Sequence, residues 1–390
     1  MLRNTWAEIS LSRIRENMLN IRRSLPNTVK LMAVVKANGY GHGDIESAMS
    51  AIRGGADYLA VAYLEEGIRL RDAGLKHPIL VLTPIQPELV QLALKHDLAL
   101  TVTSAKRFSE MRAIKPYGSE SKLRVHVKMD TGLGRIGIRT KQEWDELVPW
   151  LRSEDVEVDG FYTHFATAGL ADTSFLNQQA SRFIEMKAWG SSSGLDIRHY
   201  HCAGSIAALR FPDLAMDMVR IGAAMYGFYP SQLSCPVKLN PALSLHSQLI
   251  QVKQLAKGEV LGYDNSYRAE EDEWIGTVPI GYADGWTQRM QGTDVLVGGR
   301  RAPVVGKIYM DQLMIKLPGP CAEGTHVTLI GSQGEQRITF SELAVHIGSV
   351  AQEVSTSLGV RIVRTYNDFE EMRPRWDKQT WPNEINQAVI

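Results

Sequence analysis

Three cysteines in 390 residues, Cys202, Cys235 and Cys321, are too few and too scattered for a disulfide framework, and they read as reduced packing residues. No HExxH and no paired CxxC occurs, so neither a structural nor a catalytic metal is expected. Charge of one sign is not in excess either. Lys and Arg total 43 and Asp and Glu total 43, which leaves no electrostatic footprint for nucleic acid or an acidic membrane surface. The opening MLRNTWAEISLSRIRENM has no apolar core of signal-peptide type, and nowhere do 18 apolar residues run together, so no membrane segment and a cytoplasmic location are expected. These absences leave a small molecule as the expected partner.

The chain does have ample core-forming material, 44% hydrophobic with 22% charged, enough for two domains. Over the first 230 or so residues, short β-branched runs alternate with longer amphipathic stretches. The runs are KLMAVVK (30–36), DYLAVAY (57–63), PILVLT (78–83), LALTVTS (98–104), LRVHVKMD (123–130), VDGFYTHFA (158–166), IRHYHCAG (197–204) and DMVRIGAAMYG (217–227). Between them lie helix-like segments such as LEEGIRLRDAG (64–74). Eight units of this kind predict an α/β fold with an N-terminal parallel (β/α)8 TIM-type barrel over residues 1–236, with an open doubly wound sheet as the alternative. Beyond CPVKLNP (235–241) the texture changes to strand-like runs separated by glycine-rich turns, a mostly β C-terminal domain over 237–370. One helix, FSELAVHIGSVAQEVSTSLG, is expected inside it, the first strand of the chain is open to packing with it, and 371–390 reads as a polar tail.

The barrel gives meaning to AVVKANGYGHG (33–43), where an apolar strand stops on a lysine. Active sites of such barrels lie at the carboxyl ends of the strands, and a partly desolvated lysine there is the residue type that forms Schiff bases with carbonyl compounds. GSIAAL (204–209) after the seventh run and RIGAAMYG (220–227) at the eighth occupy the places where barrel loops bind phosphate through backbone N–H groups. Lys36 with Ser205, Gly222 and Ala223 therefore suggests pyridoxal 5'-phosphate, its aldehyde on Lys36.

AVVKANGYGHG, MDTGLGRIG (129–137), THFATA (163–168), VRIGAAMYG (219–227), PIGYADGW (279–286) and MDQLM (310–314) together resemble the motif series of bacterial alanine racemase, in that family's order and over nearly the whole chain. The resemblance implies a pyridoxal-phosphate barrel followed by a β domain, a homodimer with shared active sites, and interconversion of L- and D-alanine for cell-wall peptidoglycan. Lys36 matches the cofactor lysine, Tyr40, Ser205, Gly222 and Ala223 the phosphate contacts, and Arg220 the arginine facing the pyridine nitrogen, with His164 and His201 in its network. Arg135 and the backbone at Met310, beside Asp311, match groups that hold the substrate and Tyr263, and Tyr282 matches a tyrosine lining the way in. Lys128 matches a lysine that is carbamylated in some members, which would set an anion beside Arg135.

The chemistry implied is proton removal from the α-carbon on one face and return on the other, with Lys36 and the partner's Tyr263 as the two opposed bases. A tyrosine needs nearby positive charge for this, and Arg220 and His164 are the groups expected to supply it. An arginine against the pyridine nitrogen also disfavours its protonation and so suppresses transamination. Tyr267, four residues on in VLGYDNSYRA (260–269), is the alternative base. The chain departs from the family pattern at Gly204 (Asn is common), Tyr309 (Cys or Ser) and Val360 (a phosphate-binding Tyr), which bears on phosphate binding and on pocket width. Other readings of the same lysine and loops are a racemase of broader range (serine or lysine), a non-catalytic pyridoxal-phosphate carrier and a decarboxylase of the same fold.

Overall fold

The computed structural model describes residues 3–114, 122–230 and 232–367, so the expected polar tail lies outside the described residues. Two compact units make up the chain: one holds Ile14–Gly39 and Asp44–Asn240, the other the residues up to Arg13, Tyr40–Gly43, and Pro241 onward.

The first strand, β1 (Thr5–Ser10), belongs to the second unit. All eight expected barrel strands then form: β2 (Lys30–Val34), β3 (Tyr58–Val61), β4 (Ile79–Val81), β5 (Ala99–Val102), β6 (Leu123–Lys128), β7 (Val156–Tyr162), β8 (His199–His201) and β9 (Met218–Ile221). They pair in parallel in the order β8-β7-β6-β5-β4-β3-β2-β9. The two ends of that sheet meet at a Gly204–Arg220 bridge, where Arg220 N–H donates to Ala203 O (3.0 Å), so the ring is all but closed and the open-sheet alternative falls away. The strands are shorter than the apolar runs that announce them, because the last residues of each run turn out at the mouth as loop. Leu31 to Val35 is buried without interruption, as expected of a parallel strand covered on both faces.

The barrel interior is more polar than its strand sequences suggest. Thr101, His126, Tyr162 and His201 are all buried, and Thr101 Oγ1 shares a hydrogen bond with Tyr162 Oη at 2.9 Å.

The second unit adds β10 (Leu243–Gln248), β11 (Gln251–Leu255), β12 (Val260–Leu261), β13 (Tyr267–Arg268), β14 (Glu273–Val278), β15 (Asp294–Val297), β16 (Arg300–Val305), β17 (Leu313–Lys316), β18 (His326–Gln333), β19 (Gln336–Ile338) and β20 (Val363–Asn367). Its main sheet runs β11-β14-β17-β16-β15-β18-β10-β1-β20, antiparallel except where β1 meets β20. The single helix expected there is instead two, Phe340–Ile347 and Ala351–Thr356. Gly348 ends the first in the left-handed conformation (φ 65°), a C-cap that glycine takes without a Cβ penalty.

Candidate active site

Lys36 follows β2 by two residues and heads an unusual turn. Ala37, Asn38, Gly39 and Tyr40 all have left-handed dihedrals, with φ of 53°, 51°, 59° and 53°. For a residue with a Cβ this costs about 1–2 kcal/mol, so the run persists only where its surroundings hold it. Gly39 N–H closes on Val35 O (2.9 Å), and Ala37 N–H donates to Glu66 Oε1 (2.7 Å). A Cβ on Gly39 would stand 2.8 Å from Ser47 Oγ, which fixes glycine there. Burial, and next the Arg135 guanidinium, lower the Lys36 amine from the ordinary lysine range, with Glu66 opposing.

Arg220, on β9, is buried at the centre of a hydrogen-bonded chain. One terminal nitrogen donates to His201 Nδ1 (2.7 Å) and His201 O (3.3 Å), the other to Thr163 O (2.6 Å), His164 Nδ1 (3.0 Å) and Cys202 O (3.1 Å). No described residue accepts from its Nε, which is not sealed off in the core. Because His201 Nδ1 accepts, its Nε2 carries the proton and donates to His126 Nδ1 (2.9 Å). His126 Nε2 in turn donates to Asp159 Oδ2 (3.2 Å). Burial raises the Asp159 carboxyl, but the His126 hydrogen bond and nearby positive charge outweigh it and hold the group below its usual range. A buried cation and a buried carboxylate are thus joined through two imidazoles. Burial first and Arg220 second bring His164 down to about 3 and His201 well below its usual value. This corrects one expectation: His164 is neutral and lends no positive charge to a tyrosine.

Beside this chain, Lys128 Nζ donates to Met129 O (2.8 Å), and burial followed by Arg220 brings its amine down to about 7. The Tyr162 ring stacks on His201 (centroids 4.8 Å apart) and has Lys128 Nζ at 5.3 Å and the Arg220 guanidinium at 5.2 Å from its centre. Gly204 is required by His164, whose Cε1 would lie 2.9 Å from an added Cβ. Ser205 Oγ accepts from Gly222 N–H (3.0 Å) and Ala224 N–H (3.3 Å), so the loop after β9 turns two amides toward a hydroxyl from the loop after β8. Lys36, Arg135, Lys128, His164, His201, Ser205, Arg220, Gly222 and Ala223 all lie in the first unit.

The donor set fits a phosphorylated pyridine aldehyde. A desolvated amine suits the aldehyde, a buried guanidinium with one N–H left over suits a ring nitrogen, and hydroxyl with backbone amides suits a phosphate.

The remaining candidates lie in the second unit. Tyr40 is half-buried, and desolvation pushes its hydroxyl up to about 12, which keeps it a neutral donor. Tyr263 sits in the turn of the short β12–β13 hairpin and is 71% exposed. The hairpin rests on a small core of Leu255, Leu261, Ala269, Ile275, Val305 and Met314. Tyr309, one of the departures from the family pattern, packs edge-on to Tyr263 (4.9 Å, 85°), and its hydroxyl accepts the Tyr263 N–H at 3.2 Å. Tyr267 is differently placed. Its hydroxyl donates to Glu273, and burial together with that carboxylate holds it up at about 12.

Tyr282 and Met310, 42% and 53% exposed, are strapped together. Tyr282 N–H donates to Tyr309 O (2.9 Å) and Ala283 N–H to Met310 O (3.0 Å), an approach so close that a Cβ on Gly281 would lie 2.2 Å from Tyr309 O. Asp311 pairs with Arg361 (2.8 Å), which also donates to the buried Asp284. The sequence reading did not single out Glu66, His126, Asp159 or Asp284. Each is a charged or polar residue inside or beside an apolar run, a signal that marks a buried polar group without saying which partner it meets.

Comparison with known proteins places these features in a family. Residues 9–230 match the family model for the alanine racemase N-terminal domain, and 242–366 that for the C-terminal domain. Alanine racemase of Geobacillus kaustophilus is 46% identical over 368 residues, 93% of this chain and 94% of that one. The solved structure of alanine racemase from E. faecalis superposes with a TM-score of 0.91 at 42% identity, covering 94% of this chain and 99% of that one. Alanine racemase from Bacillus anthracis, solved with bound L-Ala-P, gives 0.90 at 42% identity over 94% and 95%.

Proposed function

The chain belongs to the alanine racemase family, and on that premise we propose that it interconverts L- and D-alanine with pyridoxal 5'-phosphate in the barrel mouth, as a homodimer pairing Lys36 of one subunit with the partner's Tyr263. The observation that carries this reading is the desolvated Lys36 amine in the same unit as the buried Arg220 chain and the Ser205 cradle. Ser205, Gly222, Ala223 and Tyr40 would hold the phosphate, Arg220 the ring nitrogen, and Lys36 the aldehyde. When bound, the cofactor lends its conjugated ring to acidify the α-carbon of the substrate.

Lys36 Nζ takes or returns the α-proton on one face. Its lowered pKa leaves more of the amine unprotonated at neutral pH, which is the form a base needs. Tyr263 Oη does the same on the other face. Its exposure in the subunit that carries it supports a task performed against a second subunit, and the exposed Tyr282 and Met310 fit the same interface. Tyr267 is the poorer base, because a hydroxyl donating to a carboxylate does not readily give up its proton. Without a charged His164, the positive charge beside the site comes from Arg220 and Arg135. Arg135 and the backbone at Met310 would hold the substrate carboxylate, with Asp311 kept in place by Arg361.

Lys128 is prepared for carbamylation. Only an unprotonated amine adds CO2, losing a proton as the N–C bond forms, and a pKa of about 7 keeps much of Lys128 in that state. The setting proposed is the cytoplasm, where D-alanine enters cell-wall precursors.

Incubation with L-alanine is expected to yield D-alanine without CO2. Borohydride is expected to fix the cofactor to Lys36, and Lys36→Ala to abolish both the fixation and the racemisation. Cofactor still fixed to protein in that variant would show that Lys36 is the wrong lysine.

A further inference from the structure

We infer that Glu66 is a positioning residue for Lys36: its carboxylate holds Ala37 in the left-handed turn and thereby sets how readily the Lys36 amine bonds to an aldehyde. This rests on the reading of Lys36 as the cofactor lysine.

Glu66 is a buried carboxylate in the first turn of the helix Leu64–Asp72. Its Oε2 accepts from Ala62 N–H (2.7 Å) and Tyr63 N–H (3.1 Å), which caps that helix. Capping needs no more than this one oxygen. Oε1 reaches instead to the end of another strand and accepts Ala37 N–H at 2.7 Å, the amide directly after Lys36. One side chain therefore ties the carboxyl ends of β2 and β3 together at the reacting lysine.

The turn needs such a tie. Alanine disfavours φ near 53°, and the bond from Gly39 N–H to Val35 O spans Ala37 without engaging its amide. With Oε1 gone, Ala37 is free to relax toward the right-handed or extended regions, and Lys36, its neighbour, moves with it. Small displacements of a reacting group lower rate far more than they lower binding.

Glu66→Gln is the test, because the amide keeps the shape but offers one acceptor oxygen to three N–H donors on two sides. Full-length protein is stripped of cofactor with hydroxylamine and mixed with pyridoxal phosphate. Non-covalent binding is read by tryptophan fluorescence, and covalent capture by the rate of yellow adduct formation and by the mass of the borohydride-reduced peptide. Binding is expected within about threefold of wild type and capture on the order of tenfold slower. Adding Ala37→Gly to Glu66→Gln is expected to restore much of the lost rate, since glycine takes the left-handed conformation without strain.

Capture by Glu66→Gln within about twofold of wild type overturns the inference. So does a loss that Ala37→Gly leaves undiminished, which would mean that Glu66 matters through its helix cap. If Glu66→Gln does not fold, Glu66→Asp is read in the same way, because the shorter carboxylate keeps the charge but cannot span both partners. Wild-type cofactor fixed to a peptide other than that of Lys36 would instead bring down the functional reading, and this inference with it.

Discussion

Two lysines lie within electrostatic reach of Arg135, and their surroundings suit them to different work. Lys36 heads a strained turn and faces Glu66 as well as Arg135, while Lys128 is sealed against Met129 O and the Tyr162 ring. Tyr309 and Gly204, which look like departures in the sequence, have local reasons: one braces Tyr263 and the other makes room for His164. Val360 has no such neighbour among the described residues, where it is 97% exposed. If Val360 stands where the family resemblance implies a larger tyrosine, width is left beyond a methyl side chain, so slow racemisation of serine is expected alongside preferred alanine. Val360→Tyr should lower kcat/KM for serine relative to alanine on the order of tenfold, the scale on which pocket volume discriminates substrates. Equal relative rates in both proteins, measured by chiral chromatography, would count against Val360 as a width determinant.

At the scale of elements, the loop Tyr40–Gly43 is held by close backbone approach. Gly41 has φ 83°, a Cβ there would stand 2.2 Å from Ser355 O, and Arg364 Nε donates to Gly41 O (3.2 Å). Gly41→Ala is therefore expected to destabilise the protein by roughly 2–4 kcal/mol, read as a fall in the urea midpoint. The turn carrying Tyr282 depends on Asp284. Burial pushes that carboxyl up, but Arg3 (2.6 and 2.5 Å), Arg361 (2.8 Å) and Gly281 N–H (3.1 Å) outweigh burial and hold it down at about 2. A folded pKa below the unfolded 3.8 means stability that is fully present above about pH 4 and is lost as pH falls through about 2. Asp284→Asn should cost about 2 kcal/mol at pH 7 and nearly nothing at pH 2. Denaturant titrations of both proteins across that range check the sign, and a difference that does not shrink toward acid would exclude the charge as its cause.

At the scale of the whole molecule, the proposed shared site makes a quantitative demand. Lys36→Ala and Tyr263→Phe homodimers should both be nearly inactive. A heterodimer of the two has one site lacking both bases and one site complete. Random association of equal amounts makes about half of the dimers mixed, so co-refolded material should recover roughly a quarter of wild-type activity. Background activity despite heterodimers verified by mass would mean that both bases come from one chain or that Tyr263 is not a base.

What the sequence determined by itself is whatever depends on local pattern. Eight β-branched runs with helical spacers specify a parallel barrel, because period and burial are written residue by residue, and the motif series places Lys36, Ser205 and Arg220 at strand ends. The tertiary structure alone decided the charges and the pairings. His164 reads as a cation in sequence and is neutral in the fold, because its environment is a desolvated pocket shared with Arg220. Ala37 is left-handed through a carboxylate 29 residues away, the Tyr267 hydroxyl is held up by burial and Glu273, and Asp159 meets Arg220 through two imidazoles. Protonation and strain are set by what lies within a few ångströms in space, and chain folding brings those neighbours from positions that no local pattern links.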